Sequence, residues 1–305
     1  MTWFILRRLI GLVFTLWIVF TVSFLLMLAV PGGPYSSERN LPPEIEANIK
    51  HRYRTDLPWY QQYAFDLRRD LSGDLGMSIR MQDYTVNQVI AQGLPISACL
   101  GIFALTFAVV LGLSAGIVSA LYRGSFADFA LMSLATVGIA VPSFVVAGLA
   151  ILAFVFFIPI FPAAGWGTLR QLILPAICLG LAYAAEIARI TRTGMLDALS
   201  QDYVRTARAK GLSELSVALR HALPTALLPV VSFLGPAVAG ILTGSVVIEK
   251  IFAIPGLGWH FVQAALQRDL TLAMGLVLLY TVLLYSMNFL VDLSYGILDP
   301  RVELK

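Results

Sequence analysis

The sequence predicts an all-α polytopic membrane protein with six transmembrane helices, and three observations indicate that class. Hydrophobic residues make up 58% of the 305 residues and charged residues only 13%, whereas a soluble domain carries about 25% charged residues. Six apolar runs are long enough to cross a bilayer, which takes about 20 residues. One long polar region, 31–93, separates the first run from the other five.

The first predicted span is 9–30, within an N-terminal unit of residues 1–30. It carries no charged residue over 22 positions. A secretory signal peptide is the alternative, but its apolar core would be about 7–15 residues long and would end at a small-residue cleavage site. This run is longer and is followed by Pro31, so we expect an uncleaved first helix.

The polar region 31–93 carries seven Lys/Arg and eight Asp/Glu, so it is nearly neutral. Proline near a helix start predicts short helices over about 41–53 and from Pro58 onward. Residues 84–91 predict an amphipathic helix that enters the membrane. We expect a helical extracytoplasmic loop that forms a cap on the membrane core rather than a separate binding domain.

The remaining spans form a five-helix core over 94–305. They are predicted at 94–122, 129–158, 171–190, 222–248 and 270–291. The uncharged stretch 129–169 is too long for one helix, and Pro159 and Pro162 break its end. Pro142 predicts a kink within the third span. An even number of spans places both termini on the same side.

Charge bias indicates which side that is. Outside 31–93, one side of the predicted topology carries 11 Lys/Arg and the other three. The loop 186–223 between the fourth and fifth spans holds six of the 11. Because cytoplasmic loops are enriched in Lys and Arg, we expect this loop and both termini in the cytoplasm.

The residue chemistry predicts no catalytic, cofactor-binding or metal site in this chain. The three histidines are far apart and none lies mid-span. The sequence therefore shows neither the spacing of metal-binding histidines nor a histidine that could act as the base for a nucleophile within a span. Cys99 and Cys178 lie in apolar runs, as small buried residues do. The phosphate-binding pattern G-x-x-x-x-G-K-[ST] is absent, and a net charge of +3 gives no argument for nucleic acid.

Polar residues within the spans leave two interpretations open. Glu186 and Arg189, at i and i+3 near the cytoplasmic end of the fourth span, can form an intramembrane ion pair or take part in substrate or proton transfer. In the fifth span, small and hydroxyl-bearing residues can line a path for a polar substrate or serve helix packing. These are Ser232, Gly240, Thr243 and Ser245.

The basic segment 202–224 predicts a helical hairpin between the fourth and fifth spans. Ser200 is expected to cap its first helix and Gly211 to end it in a left-handed conformation. Ser213 is expected to cap a second helix that runs to Pro224. The small residues Thr206, Ala207 and Ala209 on the first helix would let the backbone of another protein approach closely. The alternative is an ordinary basic connector between two spans.

Several stretches resemble, from end to end, the B-type membrane subunit of bacterial oligopeptide ABC importers, within the family of binding-protein-dependent transport inner-membrane components. They are FILRRL at 4–9, AVPGGPYSSERNLPPEIEANI at 29–49, VPSFVVA at 141–147, ARITR at 188–192, RTARAKG at 205–211, GSVVIEKIFAIPGLG at 244–258 and LDPR at 298–301. The hairpin is similar to the family's E-A-A-x3-G loop, with Arg205, Thr206 and Ala207 at the E-A-A position.

This resemblance implies a type I ABC importer permease fold in the bacterial inner membrane, with the hairpin as a coupling helix for a separate ATPase. The coupling residues it implies are Tyr203, Arg205, Thr206, Ala207, Arg208, Lys210, Gly211 and Pro224. The implied partners are a homologous second permease subunit, two ATPase subunits that bind ATP and Mg²⁺, an extracytoplasmic peptide-binding protein, and membrane lipid. The segment 38–49 favours an oligopeptide substrate.

Two alternatives stay open. The first is an ABC permease for another substrate, such as a dipeptide, nickel or glutathione. The second is a secondary transporter or channel that needs no ATPase. That class would predict mid-membrane charges or an inverted repeat with matching broken helices, and the sequence indicates neither.

Overall fold

The structure, a computed structural model, describes residues 2–29, 57–81, 83–244 and 246–298. Its helices are, in chain order, α1 (Thr2–Ala29), α2 (Trp59–Leu71), α3 (Val86–Leu121), α4 (Phe126–Ala140), α5 (Ser143–Ile151), α6 (Leu169–Leu199), α7 (Asp202–Ala209), α8 (Glu214–Val217), α9 (Leu223–Gly244), α10 (Val246–Ile251), α11 (Leu257–Gln267) and α12 (Leu270–Leu298). A π-helical turn follows α5 at Leu152–Phe157 and another follows α8 at Ala218–Ala222. The helix predicted over 41–53 lies outside the described residues.

Within the described residues, five helices are long and apolar enough to cross a membrane, and a bent helix pair makes a sixth if it counts as one span. This agrees with the six predicted spans. The second span begins earlier than predicted, because α3 starts at Val86, where Thr85 and Gln88 form a capping box. The amphipathic helix predicted over 84–91 and the second span are therefore one helix.

The third span is not the single helix predicted over 129–158. α4 ends at Ala140 and α5 begins at Ser143, and the two segments are bent by 107°. Pro142 causes the break because it has no N–H for the preceding turn and disfavours a helical conformation at Val141. Val141 is accordingly extended, with φ −87° and ψ 123°. The kink predicted at Pro142 is a complete break.

The centre of the bundle is the contact between α3 and α6, the most extensive between helices of the described chain. A Cβ atom on Gly112 would lie 2.7 Å from the carbonyl oxygen of Ala184, and one on Gly180 would lie 2.5 Å from that of Ala104. The contact nearer the start of α3, at Ala104, is also the contact nearer the start of α6, at Gly180. The two helices therefore run parallel. Because no methyl group fits at these distances, glycine lets the two backbones pack closely.

The first span lies at the edge of the bundle, where α1 packs against α12. Phe24 of α1 is buried against Leu278 of α12, with Tyr63 of α2 beside them. The hydroxyl groups of Tyr63 and Thr21 are 2.8 Å apart. The described part of the polar region thus folds back onto the membrane core.

Candidate functional site

The segment 202–224 forms a hairpin that follows directly from the long helix α6. α7 begins at Asp202, and the side chain of its N-cap residue, Gln201, forms no capping hydrogen bond. The prediction that Ser200 caps α7 is wrong. Ser200 is the C-cap residue of α6, and its hydroxyl donates to the carbonyl oxygen of Asp197 at 2.7 Å. Only two residues separate α6 from α7.

The turn between α7 and α8 has the predicted geometry. Gly211 adopts a left-handed φ of +76°, which residues with a Cβ atom disfavour. The Ser213 hydroxyl caps α8 by accepting the N–H of Ser216 at 3.4 Å. Arg208 of α7 and Glu214 of α8 form an ion pair at 2.9 Å, so the two helices are joined by both a turn and a side-chain contact.

The inner face of the hairpin is apolar. Val204 and Ala207 lie three residues apart, so they share one face of α7, and they pack with Val217 of α8 and Leu199 of α6. Ala207 is only 4% exposed. The prediction that Ala207 presents a docking face together with Thr206 is therefore wrong, because Ala207 belongs to the hairpin's own core. Thr206 is exposed.

The outer face of the hairpin is basic and exposed. Its exposed residues include Tyr203, Arg205, Thr206, Arg208 and Lys210. Asp202 and Glu214 are exposed too and pair with Arg205 and Arg208, which leaves the positive charges in excess. Leu212 and Leu215 beside them are also exposed, by 40% and 62%. A surface that combines positive charge with exposed leucines suits a protein groove that is partly acidic and partly apolar.

The sequence predicted that the second helix of the hairpin ends at Pro224. In the structure the helix continues past this residue. α8, the π-helical turn at Ala218–Ala222 and α9 follow one another without a break. A π-helical turn already departs from the hydrogen bonding that a proline interrupts, which lets the helix pass Pro224. The Tyr203 hydroxyl also donates to the Thr225 hydroxyl at 3.4 Å. Both helices of the hairpin are thus tied to the fifth span.

The base of the hairpin packs on the ends of the two central helices. The buried residues of this contact are Ala120 of α3, Met195 and Ala198 of α6, Ala218 and Ala222 of the π-helical turn, and Ala226 of α9. Alanine at most of these positions keeps the helices close together. The hairpin therefore has a fixed base and an exposed outer face.

Next to this base lies a buried ion pair that the sequence did not predict. Arg192 of α6 donates from Nε and Nη2 to the two carboxylate oxygens of Asp128 in α4, at 2.7 and 2.8 Å. The Ser119 hydroxyl of α3 also donates to Asp128, and the Gly124 N–H does so at 2.9 Å. Asp128 is 5% exposed and Ser119 is fully buried. We call Ser119, Asp128 and Arg192 the clasp, since they join α3, α4 and α6.

The ion pair predicted between Glu186 and Arg189 is present. Nη2 of Arg189 donates to both carboxylate oxygens of Glu186, at 2.6 and 2.8 Å. The Arg189 side chain is 62% exposed. Among the residues that the structure describes, the pair is local to one helix face and joins no other element.

The structure describes two of the four candidate pathway residues in full, Ser232 and Gly240 of α9. The Ser232 hydroxyl donates to the carbonyl oxygen of Leu228 at 2.9 Å, within its own helix. Gly240 lies against α6, where an added Cβ atom would be 2.8 Å from the Tyr183 hydroxyl oxygen. The side chain of Thr243 and the whole of Ser245 lie outside the described part. A pathway role for these residues stays a prediction.

Two further buried carboxylates hold loops at the opposite end of the bundle. Glu249 accepts the Ser97 hydroxyl at 2.8 Å and the Trp259 N–H at 3.1 Å. Asp269 accepts N–H groups of the loop 78–80 and of Leu272, at 3.1 Å each. Asp269 directly precedes a predicted span, which is a signal for a helix cap. No cluster of three His, Cys, Asp or Glu suited to a metal ion occurs among the described residues.

Solved structures share this fold. A chain of the MetNI methionine ABC transporter, solved in inward-facing conformations, superposes with a TM-score of 0.55 over 69% of this chain and 96% of its own length, at 18% identity. A chain of an amino acid ABC transporter superposes with a TM-score of 0.54. The fold is therefore that of an ABC transporter membrane subunit, as predicted.

Sequence comparison gives the family. The model of the family described as binding-protein-dependent transport system inner membrane component matches residues 108–304. The oligopeptide transport system permease protein OppB of Escherichia coli K12 is 45% identical over 302 residues, which are 98% of this chain and 99% of the relative. The dipeptide transport system permease protein DppB of Bacillus subtilis is 44% identical over 99% of this chain and 98% of its own length. The chain belongs to this family of multi-pass inner-membrane transport components.

Proposed function

We propose that this chain is the membrane subunit of an ATP-driven peptide importer. It forms half of the translocation pathway, and a homologous second permease subunit forms the other half. Relatives that match nearly the whole chain are named for oligopeptide and dipeptide transport. The segment 38–49 favours oligopeptides, and dipeptides are the second candidate.

The energy for transport comes from two separate ATPase subunits, which hold ATP and Mg²⁺. An extracytoplasmic binding protein delivers the peptide. The excess of Lys and Arg on one side supports a topology with both termini and the hairpin in the cytoplasm. The loop 31–93 then faces outward, towards the binding protein.

The hairpin is the ATPase-docking element, and one observation carries this assignment: an exposed basic face stands on a base fixed to the spans. α6 has 31 residues, about 45 Å of helix, whereas the hydrocarbon core is about 30 Å thick. α6 therefore extends beyond the membrane and holds the hairpin at the ATPase. When the ATPase subunits close on ATP, the hairpin moves with them and displaces α6 and α9.

Site-specific cross-linking tests the docking. Lys210→Cys places a thiol on the outer face, and Arg268→Cys places a matched thiol at an exposed position after α11, on the opposite side of the membrane. In the assembled transporter, the Lys210→Cys chain should cross-link to an ATPase subunit and the Arg268→Cys chain should not. Absence of an ATPase adduct at Lys210→Cys, in a complex that imports peptide, would reject the assignment.

Uptake tests the substrate. The transporter, reconstituted with its second permease, ATPases and binding protein, should import a labelled oligopeptide when ATP is present. The same vesicles are then given a dipeptide, nickel and glutathione. A preference for any of these over the oligopeptide would show that the oligopeptide assignment is wrong.

A further inference from the structure

The clasp lies beside the hairpin's base, at the beginning of the broken third span. Ser119 immediately precedes Ala120, and Arg192 lies one turn before Met195; both neighbours pack in the base of the hairpin. Asp128 lies in the first turn of α4. A movement at the base therefore reaches α4 through this buried, bidentate pair.

The clasp is not needed to hold α3 against α6. Those two helices already meet along their length through close backbone contacts, such as Gly116 of α3, where an added Cβ atom would lie 2.6 Å from the carbonyl oxygen of Ala188. What the clasp adds is a fixed attachment for the beginning of α4. At its other end α4 contacts α6 more loosely, since a Cβ atom on Gly138 would be 3.2 Å from that of Ala185.

α4 ends at the break, and two residues separate it from α5. A short rigid helix that is held at one end transmits a displacement to its other end, where the chain is bent by 107°. A charge-assisted, bidentate hydrogen bond suits this task, because it fixes direction as well as distance.

We propose that Asp128 and Arg192 are positioning residues that transmit movement of the hairpin to α4, and through α4 to the break at Val141 and Pro142. This inference rests on the proposed docking of the hairpin. Without the clasp, the ATPase still docks and hydrolyses ATP, but the third span no longer follows the hairpin. Hydrolysis is then uncoupled from import.

The test is the number of ATP molecules hydrolysed per peptide imported, measured for each assembled complex. Arg192→Lys keeps the charge but cannot form the bidentate contact. It should raise this ratio by about fivefold, the lower end of typical coupling effects. Arg189→Lys is the matched control on the same helix, and it should leave the ratio unchanged because its pair joins no second element.

Ser119→Ala is measured in parallel, since it removes one hydrogen bond and keeps the ion pair. It provides a ratio even if Arg192→Lys does not accumulate, and it should raise the ratio by a smaller factor. An unchanged ratio in every variant that assembles would overturn the proposal and leave the clasp a purely structural contact. Failure of docking gives a different result, because Lys210→Cys then forms no ATPase adduct in any background.

Discussion

Two arginines on α6, three residues apart, form ion pairs of different kinds. Arg189 contacts Glu186 on its own helix, and its side chain is 62% exposed. Arg192 contacts Asp128 of another helix, its side chain is 27% exposed, and that of Asp128 is 7% exposed. The first pair shields a charge on one helix face, whereas the second connects helices that are far apart in the chain.

The difference shows why an ion pair cannot be judged from its two residues alone. An exposed pair within one helix contributes about 0.3–0.5 kcal/mol, because water screens the charges and two long side chains lose freedom. A buried carboxylate that accepts several hydrogen bonds is different, since removing a partner leaves polar groups without water or an acceptor. We therefore expect the two pairs to respond very differently to the same substitution.

The largest effect is expected for Asp128→Ala. The substitution leaves the buried Ser119 hydroxyl, the Gly124 N–H and the Arg192 guanidinium without their shared acceptor. The thermal unfolding midpoint of the purified chain should fall strongly. Glu186→Ala is the matched control and should change the free energy of unfolding by about 0.5 kcal/mol or less. Equal shifts of the midpoint in both variants would remove the distinction between the two pairs.

The next effect concerns the two faces of α7. Ala207→Trp forces a large ring into the contact with Val204 and Val217, and overpacking of this kind costs about 1–3 kcal/mol. The hairpin should lose its fold, and limited proteolysis should cut it faster. Thr206→Trp on the exposed face should leave proteolysis unchanged but weaken co-purification of the ATPase. If Ala207→Trp resisted proteolysis like the wild type, the inward position of Ala207 would be in error.

Features that depend on composition or on neighbouring residues were predictable from the sequence. The spans followed from apolar runs, and the turn at Gly211 and the cap at Ser213 followed from residue type. The inward face of Ala207 could have been read from its spacing to Val204, three residues earlier. The clasp had no such signal, because Asp128 and Arg192 are 64 positions apart in the chain, and only the packing of the helices brings them together.

A smaller effect is expected at the turn of the hairpin. Gly211→Val places a β-branched residue at a φ of +76°, a left-handed conformation that costs about 1–2 kcal/mol. An added Cβ atom would contact nothing within 4 Å, so the cost is conformational and not steric. Gly211→Asn should be tolerated, because asparagine also adopts this conformation. ATPase co-purification should fall for valine and persist for asparagine, and a reversed order would contradict the strained-turn explanation.

A third pair of an arginine and a carboxylate sharpens the comparison, and its effect should be the smallest. Nη2 of Arg69 lies 3.1 Å from Oδ1 of Asp70 in α2. Burial nevertheless outweighs the attraction of Arg69 and raises the pKa of Asp70 from 3.8 to about 6. The second carboxylate oxygen of Asp70 is buried and accepts no hydrogen bond from any residue that the structure describes. Proximity to an arginine is therefore not sufficient to keep the pKa of a buried carboxylate at its ordinary value.

The consequence is a pH dependence with a defined sign. Between pH 4 and 6 the folded chain retains a proton on Asp70 that the unfolded chain has released, because the folded pKa is about 6 and the unfolded value 3.8. The stability of α2 should therefore fall as the pH rises through this window and should stay at its lower level above it.

Hydrogen exchange of the α2 amides between pH 4 and 7, corrected for intrinsic rates, measures this pH dependence. Asp70→Asn should flatten the profile, whereas Asp74→Asn, which removes a nearby carboxylate that raises the pKa of Asp70 less than burial does, should keep the fall but end it at a lower pH. A wild-type profile in which α2 gains protection as the pH rises would mean that Arg69, and not burial, controls Asp70.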